Sequence, residues 1–130
     1  MENELNKKLW GKTILIVEDD LSSAELLMEI FEGNGAKLIF AVNGEDAIKI
    51  VSNNPHIDLI LMDICLPGIN GYKATIEIKK LRKDLPIIAQ TAYALDGDRL
   101  KAFETGCDAY ISKPIVETKL NELILRLINR

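Results

Sequence analysis

Five short apolar runs, each followed by a segment of helical periodicity, constrain this chain more than any other feature. The runs lie at Thr13–Val17, Lys37–Ala41, Asp58–Met62, Ile87–Gln90 and Ala109–Ile111. Nearly continuous apolar runs of this length suit strands covered on both faces, as in a parallel sheet. The intervening segments read as helices. Leu21–Glu32 is closed by Gly33-Asn34-Gly35, and Gly44–Ser52 follows a candidate N-cap, Asn43, and stops before Pro55. Gly71–Arg82 puts Ala74, Ile78 and Leu81 on one face. Asp96 can cap a helix through Thr105, closed by Gly106, and Val116–Asn129 aligns Leu120, Leu123 and Leu127. Right-handed crossovers with short loops turn this alternation into a doubly wound α/β fold. The expected fold is a (βα)5 three-layer sandwich around a five-stranded parallel sheet, order 2-1-3-4-5, of flavodoxin-like type. Other doubly wound orders share the alternation, so periodicity alone does not fix that order.

At 130 residues the chain can bury one continuous core without staples. Residues 12–130 are expected as a single domain and residues 1–11 as an N-terminal arm or linker remnant. In the arm, Leu5, Leu9 and Trp10 can form a short apolar stripe, with Trp10 packing on the domain. A composition 48% hydrophobic and 28% charged argues against disorder. A net charge of -4 with no basic stripe leaves no footprint for direct nucleic-acid binding. Cys65 and Cys107 show no CxxC spacing and His56 stands alone, which fits reduced thiols and not a zinc site or disulfide framework. The polar first dozen residues lack a signal-peptide core, and no stretch approaches the ~20 apolar residues of a membrane span. A cytoplasmic protein without membrane insertion is expected.

In an open α/β sheet, ligands bind outside the carboxyl ends of the strands, where the strand order reverses. Glu18-Asp19-Asp20 follows the first run, Asp63 ends the third, Thr91 the fourth, and Lys113-Pro114 the fifth. Carboxylates converging on one point repel each other, so at least one pKa should rise unless a cation intervenes. Mg2+ relieves such repulsion through oxygen ligands. Magnesium, an ammonium and a hydroxyl around one carboxylate supply what a transferring phosphoryl group needs, namely charge neutralisation and positioning. Asp63 would then be a nucleophile forming an aspartyl phosphate. Each residue alone has a plainer reading. The acids can cap a helix, Asp63 can serve the turn at Leu66-Pro67-Gly68, Thr91 can bond to backbone, and Lys113 can be solvated. Placement at successive strand ends is what favours the chemical reading.

The segments ILIVEDD, LILMDICLPGINGY, IIAQTAYA and DAYISKPI resemble the four signature blocks of response-regulator receiver domains of two-component signalling, in the same order and spacing. The resemblance covers nearly the whole chain from Lys12 and identifies residues 12–130 as a receiver domain. It implies Asp63 as phosphoacceptor, taking a phosphoryl group from a phosphohistidine on a histidine kinase or histidine phosphotransfer protein. It implies Asp19 as the direct Mg2+ ligand, Glu18 acting through water, and Cys65 offering its backbone carbonyl. Thr91 and Lys113 match the hydroxyl and lysine that contact the phosphoryl group. Tyr110 matches the aromatic residue whose rotamer follows Thr91, so Thr91 and Tyr110 are the expected switch. Pro114 matches a proline that follows a cis peptide bond, and Gly71 the glycine ending the phosphoacceptor loop. Such a domain assists its own phosphorylation and dephosphorylation but is not otherwise an enzyme.

The stretch from Gln90 to Lys113 and the lead-in Trp10-Gly11-Lys12 look most like receivers of hybrid sensor histidine kinases. A C-terminal receiver of such a kinase within a phosphorelay is therefore one expectation, and a stand-alone single-domain regulator the alternative. Three competing functions are weaker. A haloacid-dehalogenase-type phosphatase wants a second acid two residues after the nucleophile, where Cys65 stands. A flavodoxin-like carrier needs a phosphate cradle where Glu18-Asp19-Asp20 would repel the flavin phosphate. A degenerate receiver that only docks would not need the complete set of site residues.

Overall fold

The computed structural model describes residues 4–92 and 96–128, and for residues 96–98 the backbone only. The elements are α1 (Glu4–Leu9), β1 (Thr13–Val17), α2 (Leu21–Phe31), β2 (Lys37–Ala41), α3 (Gly44–Asn53), β3 (Ile57–Asp63), α4 (Gly71–Leu81), β4 (Ile87–Thr91), α5 (Asp96–Glu104), β5 (Ala109–Ser112) and α6 (Glu117–Ile128). All strand pairs are parallel, in the order β2-β1-β3-β4-β5. The expected doubly wound sandwich and its order are therefore observed. β1 lies between β2 and β3, so the order reverses at β1.

Alternation along the strands divides the core into two layers. Leu15, Val17, Ile60, Met62, Ile87 and Ala89 point one way, against Ala47, Val51, Ala74, Ile78 and Ala102 of α3, α4 and α5. Ile14, Ile16, Leu59, Leu61, Ile88 and Ile111 point the other way, against α1, α2 and α6. Strands covered on both faces explain the nearly unbroken apolar runs. The helix starts are fixed locally. Asp20, Asn43 and Asn70 cap α2, α3 and α4 by accepting from the backbone N–H three residues on. Asp96 opens α5, but its side chain lies outside the described residues, as does Asn129 at the expected end of the last helix.

Two details differ from the sequence reading. Leu81 is 51% exposed although its spacing from Ala74 and Ile78 aligns it with the buried face. The chain turns back after α4, and Leu85, buried in the same cluster, fills the place beneath the helix end. The arm also behaves unevenly. Residues 4–9 are helical, and Leu5 and Leu9 are buried in the same cluster as Leu120, Ile124 and Leu127 of α6. Trp10 lies with its ring against Gly35 yet is 72% exposed, so the stripe splits into two core residues and one surface indole. Leu9 is fully buried, and Leu9→Ala is expected to cost about 2–5 kcal/mol. Urea unfolding checks this: a loss below ~0.5 kcal/mol would make the arm a tether only.

Candidate functional site

The carboxyl ends of β1, β3 and β5 bring together charges that are far apart in the chain. Asp63 is the last residue of β3, and Glu18 follows β1 directly, its backbone N–H bonded to Ala41 O at 2.9 Å. Both side chains are buried, as is the Thr91 residue that ends β4. By strand alternation Glu18 shares the face of Ile16, Asp63 that of Leu61, and Lys113 that of Ile111. All three therefore point to the α2–α6 side. Lys113 donates to Glu18 Oε1 at 2.8 Å and lies 3.4 Å from Asp63 Oδ2. Asp63 Oδ1 accepts from the backbone N–H of Cys65 at 3.1 Å.

The three acids of Glu18-Asp19-Asp20 have separate tasks. Asp20 turns away as the cap of α2, accepting from Ser23 N at 2.9 Å and Ser23 Oγ at 2.8 Å. The capping reading thus holds for one acid of the three. Glu18, Asp19 and Asp63 can each place one carboxylate oxygen within 4.8 Å of the others. Burial raises the pKa of the Glu18 carboxyl from 4.5 to about 7, with further upward push from Asp63, while Lys113 opposes it. Burial also works against the Lys113 ammonium, but Glu18 and Asp63 outweigh it and hold Lys113 above the ordinary lysine value. Among the described residues Lys113 pairs with Glu18 and Asp63, while Asp19 adds a third, exposed carboxylate, so the cluster is short of positive charge. An all-oxygen donor set that is short of positive charge fits a hard divalent cation such as Mg2+.

Neighbouring backbone shapes this site. Gly71 N–H bonds Ile64 O at 2.9 Å, closing the loop after Asp63. A β-carbon at Gly71 would strike the carbonyl oxygen of Asp63 and lie 2.7 Å from Ile64 Cα. The Lys113–Pro114 peptide is cis, and Lys113 N–H bonds Thr91 O at 2.7 Å. Cys65 is exposed on the loop and Cys107 is buried far along the chain, and no disulfide joins them. Thr91 falls on the opposite face from Asp63, that of Ala89. Tyr110, the register partner of Ala89, is half-buried and packs on the same layer. The sequence reading gave no role to Gln90, whose buried Nε2 has no hydrogen-bond partner among the described residues. Its signal was a polar side chain inside an otherwise apolar run.

A parallel sheet of this order with an acidic cleft at its reversal point and a lysine across it defines a class, and the comparisons name it. The family model described as the response regulator receiver domain matches residues 14–125, and the chain belongs to that family. Among its relatives is the polar-differentiation response regulator DivK of Brucella ovis, 37% identical over 115 residues, which make up 87% of this chain and 93% of that protein. Response regulator SaeR of Staphylococcus aureus is 34% identical over 116 residues, 89% of this chain and 49% of that protein. Among solved structures, the receiver domain of sensor histidine kinase PA1611 from Pseudomonas aeruginosa has a TM-score of 0.84 and 33% identity, covering 92% of this chain and 99% of that one. That structure holds a magnesium ion in its active-site cleft. A response regulator receiver domain protein from Methanospirillum hungatei has a TM-score of 0.84 and 30% identity, covering 91% and 94%.

The raised Glu18 pKa has a definite sign. A folded-state pKa near 7 against 4.5 means the folded state holds this proton more tightly. The contribution to stability is therefore full below about pH 4.5 and is lost as pH rises through about 7 in the metal-free protein. A cation competes with that proton, so about 10 mM Mg2+ is expected to raise Tm more at about pH 8 than at about pH 5.5. Asp19→Asn should lose most of the increment. Thermal melts at the two pH values check this, and equal increments would remove Glu18 from the site.

Proposed function

We propose that this receiver domain takes a phosphoryl group from a phosphohistidine onto Asp63, with Mg2+ bound, and switches its surface through Thr91 and Tyr110. The observation that carries this reading is the convergence of Glu18, Asp19, Asp63 and Lys113 at one sheet edge. An oxygen of the Asp63 carboxylate attacks the phosphorus, the phosphorus–nitrogen bond breaks, and its electron pair leaves with the donor imidazole. Lys113, now bound to Glu18 and 3.4 Å from Asp63, can pair with the phosphoryl oxygens. Glu18, Asp19 and Asp63, with the Cys65 carbonyl, would hold the cation, which when bound neutralises charge on the transferring group. Thr91 supplies the hydroxyl donor. The domain assists its own phosphorylation and dephosphorylation and is not otherwise an enzyme.

Residues 1–11 form an accessory arm and 12–130 the receiver domain in this reading, and the location is cytoplasmic. Among the described residues no helix is long and apolar enough to cross a membrane. The partner is a histidine kinase or histidine phosphotransfer protein, with no direct nucleic-acid binding. Membership in a hybrid histidine kinase is supported by the likeness to the PA1611 receiver, and the stand-alone alternative by the likeness to DivK along 93% of that protein. Immunoblotting of the native protein separates them, since a stand-alone chain runs near 14.5 kDa.

Acetyl phosphate is expected to add one phosphoryl group, only with a divalent cation present, and none to Asp63→Asn, which keeps the shape but not the nucleophile. Intact-mass spectrometry checks this, and equal labelling of the variant would move the acceptor elsewhere. A phosphoryl group brings about two negative charges. Thr91 moves toward it and the Tyr110 ring takes the vacated volume, as a population shift between states a few kcal/mol apart. Thr91→Ala should accept the phosphoryl group yet leave the Tyr110 amide signal unshifted by NMR. A full shift in that variant would sink the Thr91–Tyr110 coupling and leave Asp63 untouched.

A further inference from the structure

β2 ends the sheet, and among the described residues it pairs with β1 alone. Lys37 N–H bonds Lys12 O at 2.8 Å, and Ala41 O accepts from Glu18 N–H at 2.9 Å. Alternate residues of a strand face one neighbour, so Lys37, Ile39 and Ala41 use their backbone groups on β1. Leu38 and Phe40 therefore aim N–H and C=O outward, where an added strand can meet them. Their side chains share the face that α2 covers. Leu38 is half-buried in that layer and Phe40 is 39% exposed. Open edges are usually blunted by charge or proline, and Leu38-Ile39-Phe40 carries neither.

α2 forms a wall beside this edge. Glu25, Met28 and Glu32 recur at helical spacing on one flank, and with Glu29 and Leu38 they line a groove of about 570 Å³. Met28 is 49% exposed. From Leu21 to Glu32 the only charged residues are Glu25, Glu29 and Glu32. No Lys or Arg pairs with them among the described residues. Carboxylates in the last turns of a helix oppose its dipole, so these acids destabilise α2 with no compensating contact.

We propose that the β2 edge takes a sixth strand, an extended segment of a partner protein in which Lys or Arg alternates with apolar residues. Main-chain bonds to Leu38 and Phe40 give the pairing, and the alternation selects the side chains. On the α2 side a Lys or Arg lays its aliphatic stem on Leu38, Phe40 and Met28 and carries its head to the glutamates. On the other face the segment meets half-buried Ile39, which suits an apolar residue. A second copy of this chain fits less well. Pairing β2 antiparallel with itself about a two-fold axis normal to the sheet sets α2 beside α2, acid against acid. The groove uses none of the residues of the Asp63 site, so the inference is independent of the phosphoacceptor reading.

The probe is a peptide of about eight residues with Arg and Val strictly alternating, compared with one of the same composition in which like residues come in pairs. Paired order puts charge on both faces of the strand and cannot match a single acidic wall. By calorimetric titration the alternating peptide is expected to bind about tenfold more tightly. It should also slow hydrogen exchange at the Leu38 and Phe40 amides. The double variant Glu25→Lys, Glu32→Lys should weaken binding about tenfold or more. Phe40→Pro, which removes an outward N–H, should do the same, with thermal melts showing whether it folds. If it does not fold, the charge-reversed variant decides alone. Equal affinity of the two peptides, unchanged exchange at Leu38 and Phe40, or undiminished binding by the charge-reversed variant would overturn the proposal and leave general attraction to an acidic surface. Self-association of wild type in sedimentation, abolished in a folded Phe40→Pro, would also overturn it, by making a second copy the occupant of the edge.

Discussion

The Lys113 ammonium, 2.8 Å from Glu18 and 3.4 Å from Asp63, is what allows two buried carboxylates to share one end of the sheet. Glu18 and Lys113 are 95 residues apart in the chain, and Asp63 and Lys113 are 50 apart. The order β2-β1-β3-β4-β5 sets β1 beside β3, and because every strand pair is parallel the end of β5 reaches the same sheet edge. Taking charges out of water is costly, and a single ammonium does not balance Glu18, Asp19 and Asp63 together. Part of that imbalance is relieved by holding a proton on Glu18, whose pKa burial raises to about 7. A site in this state gains from a divalent cation and, once the cation is bound, from an added anion. In the proposed reading, the chemistry of this site follows from an electrostatic deficit that the fold creates and does not fully repair.

Much of this was legible in the chain because the fold is strongly patterned. β1 and β2 coincide with their apolar runs, although β1 is buried along nearly its whole length and the edge strand β2 only at Ala41. β3 and β4 run on to include Asp63 and Thr91, polar residues of the proposed site, so hydropathy stops short of them. Strand-end residues could be gathered into one site because a parallel sheet delivers every strand's carboxyl end to one edge. The division of labour among Glu18, Asp19 and Asp20 could not be read, because it depends on where the α2 backbone turns to offer Ser23 N–H to Asp20. Leu81 was misplaced because periodicity knows the helix but not where the sheet beneath it ends. The docking of Leu5 and Leu9 against α6 escapes for a similar reason, since a six-residue helix is held by tertiary contact and not by its own propensity.

In the proposed reading, the two faces of the sheet separate chemistry from readout. Glu18, Asp63, Gln90 and Lys113 belong to the side covered by α2 and α6, whereas Thr91 and Tyr110 belong to the side covered by α4 and α5. Only at the strand ends can a group on one side reach a residue on the other. A phosphoryl group on Asp63 would stand at that end, and Thr91 is the last residue of its strand. Coupling across the sheet therefore needs no rearrangement of the core. A change at two strand ends is sufficient.

What such a change can move depends on how firmly the neighbouring helix is held. α5 buries Ala102, but Leu100 and Phe103 are exposed on it, so little apolar area fixes it to the sheet. One further tie is the Lys101 ammonium 4.8 Å from the centre of the Tyr72 ring, which joins α5 to α4. An interaction of this kind contributes about 0.5–1 kcal/mol where solvent reaches it. Elements anchored by few buried contacts occupy the low-stability end of a structure, and ligand-driven motion is drawn from that end. The opposite layer is anchored differently, with α6 burying Leu120, Ile124 and Leu127 against the sheet and against α1. A population shift started at Asp63 would therefore be expressed on the α5 side, because that is where a shift of a few kcal/mol exceeds what holds the helix in place.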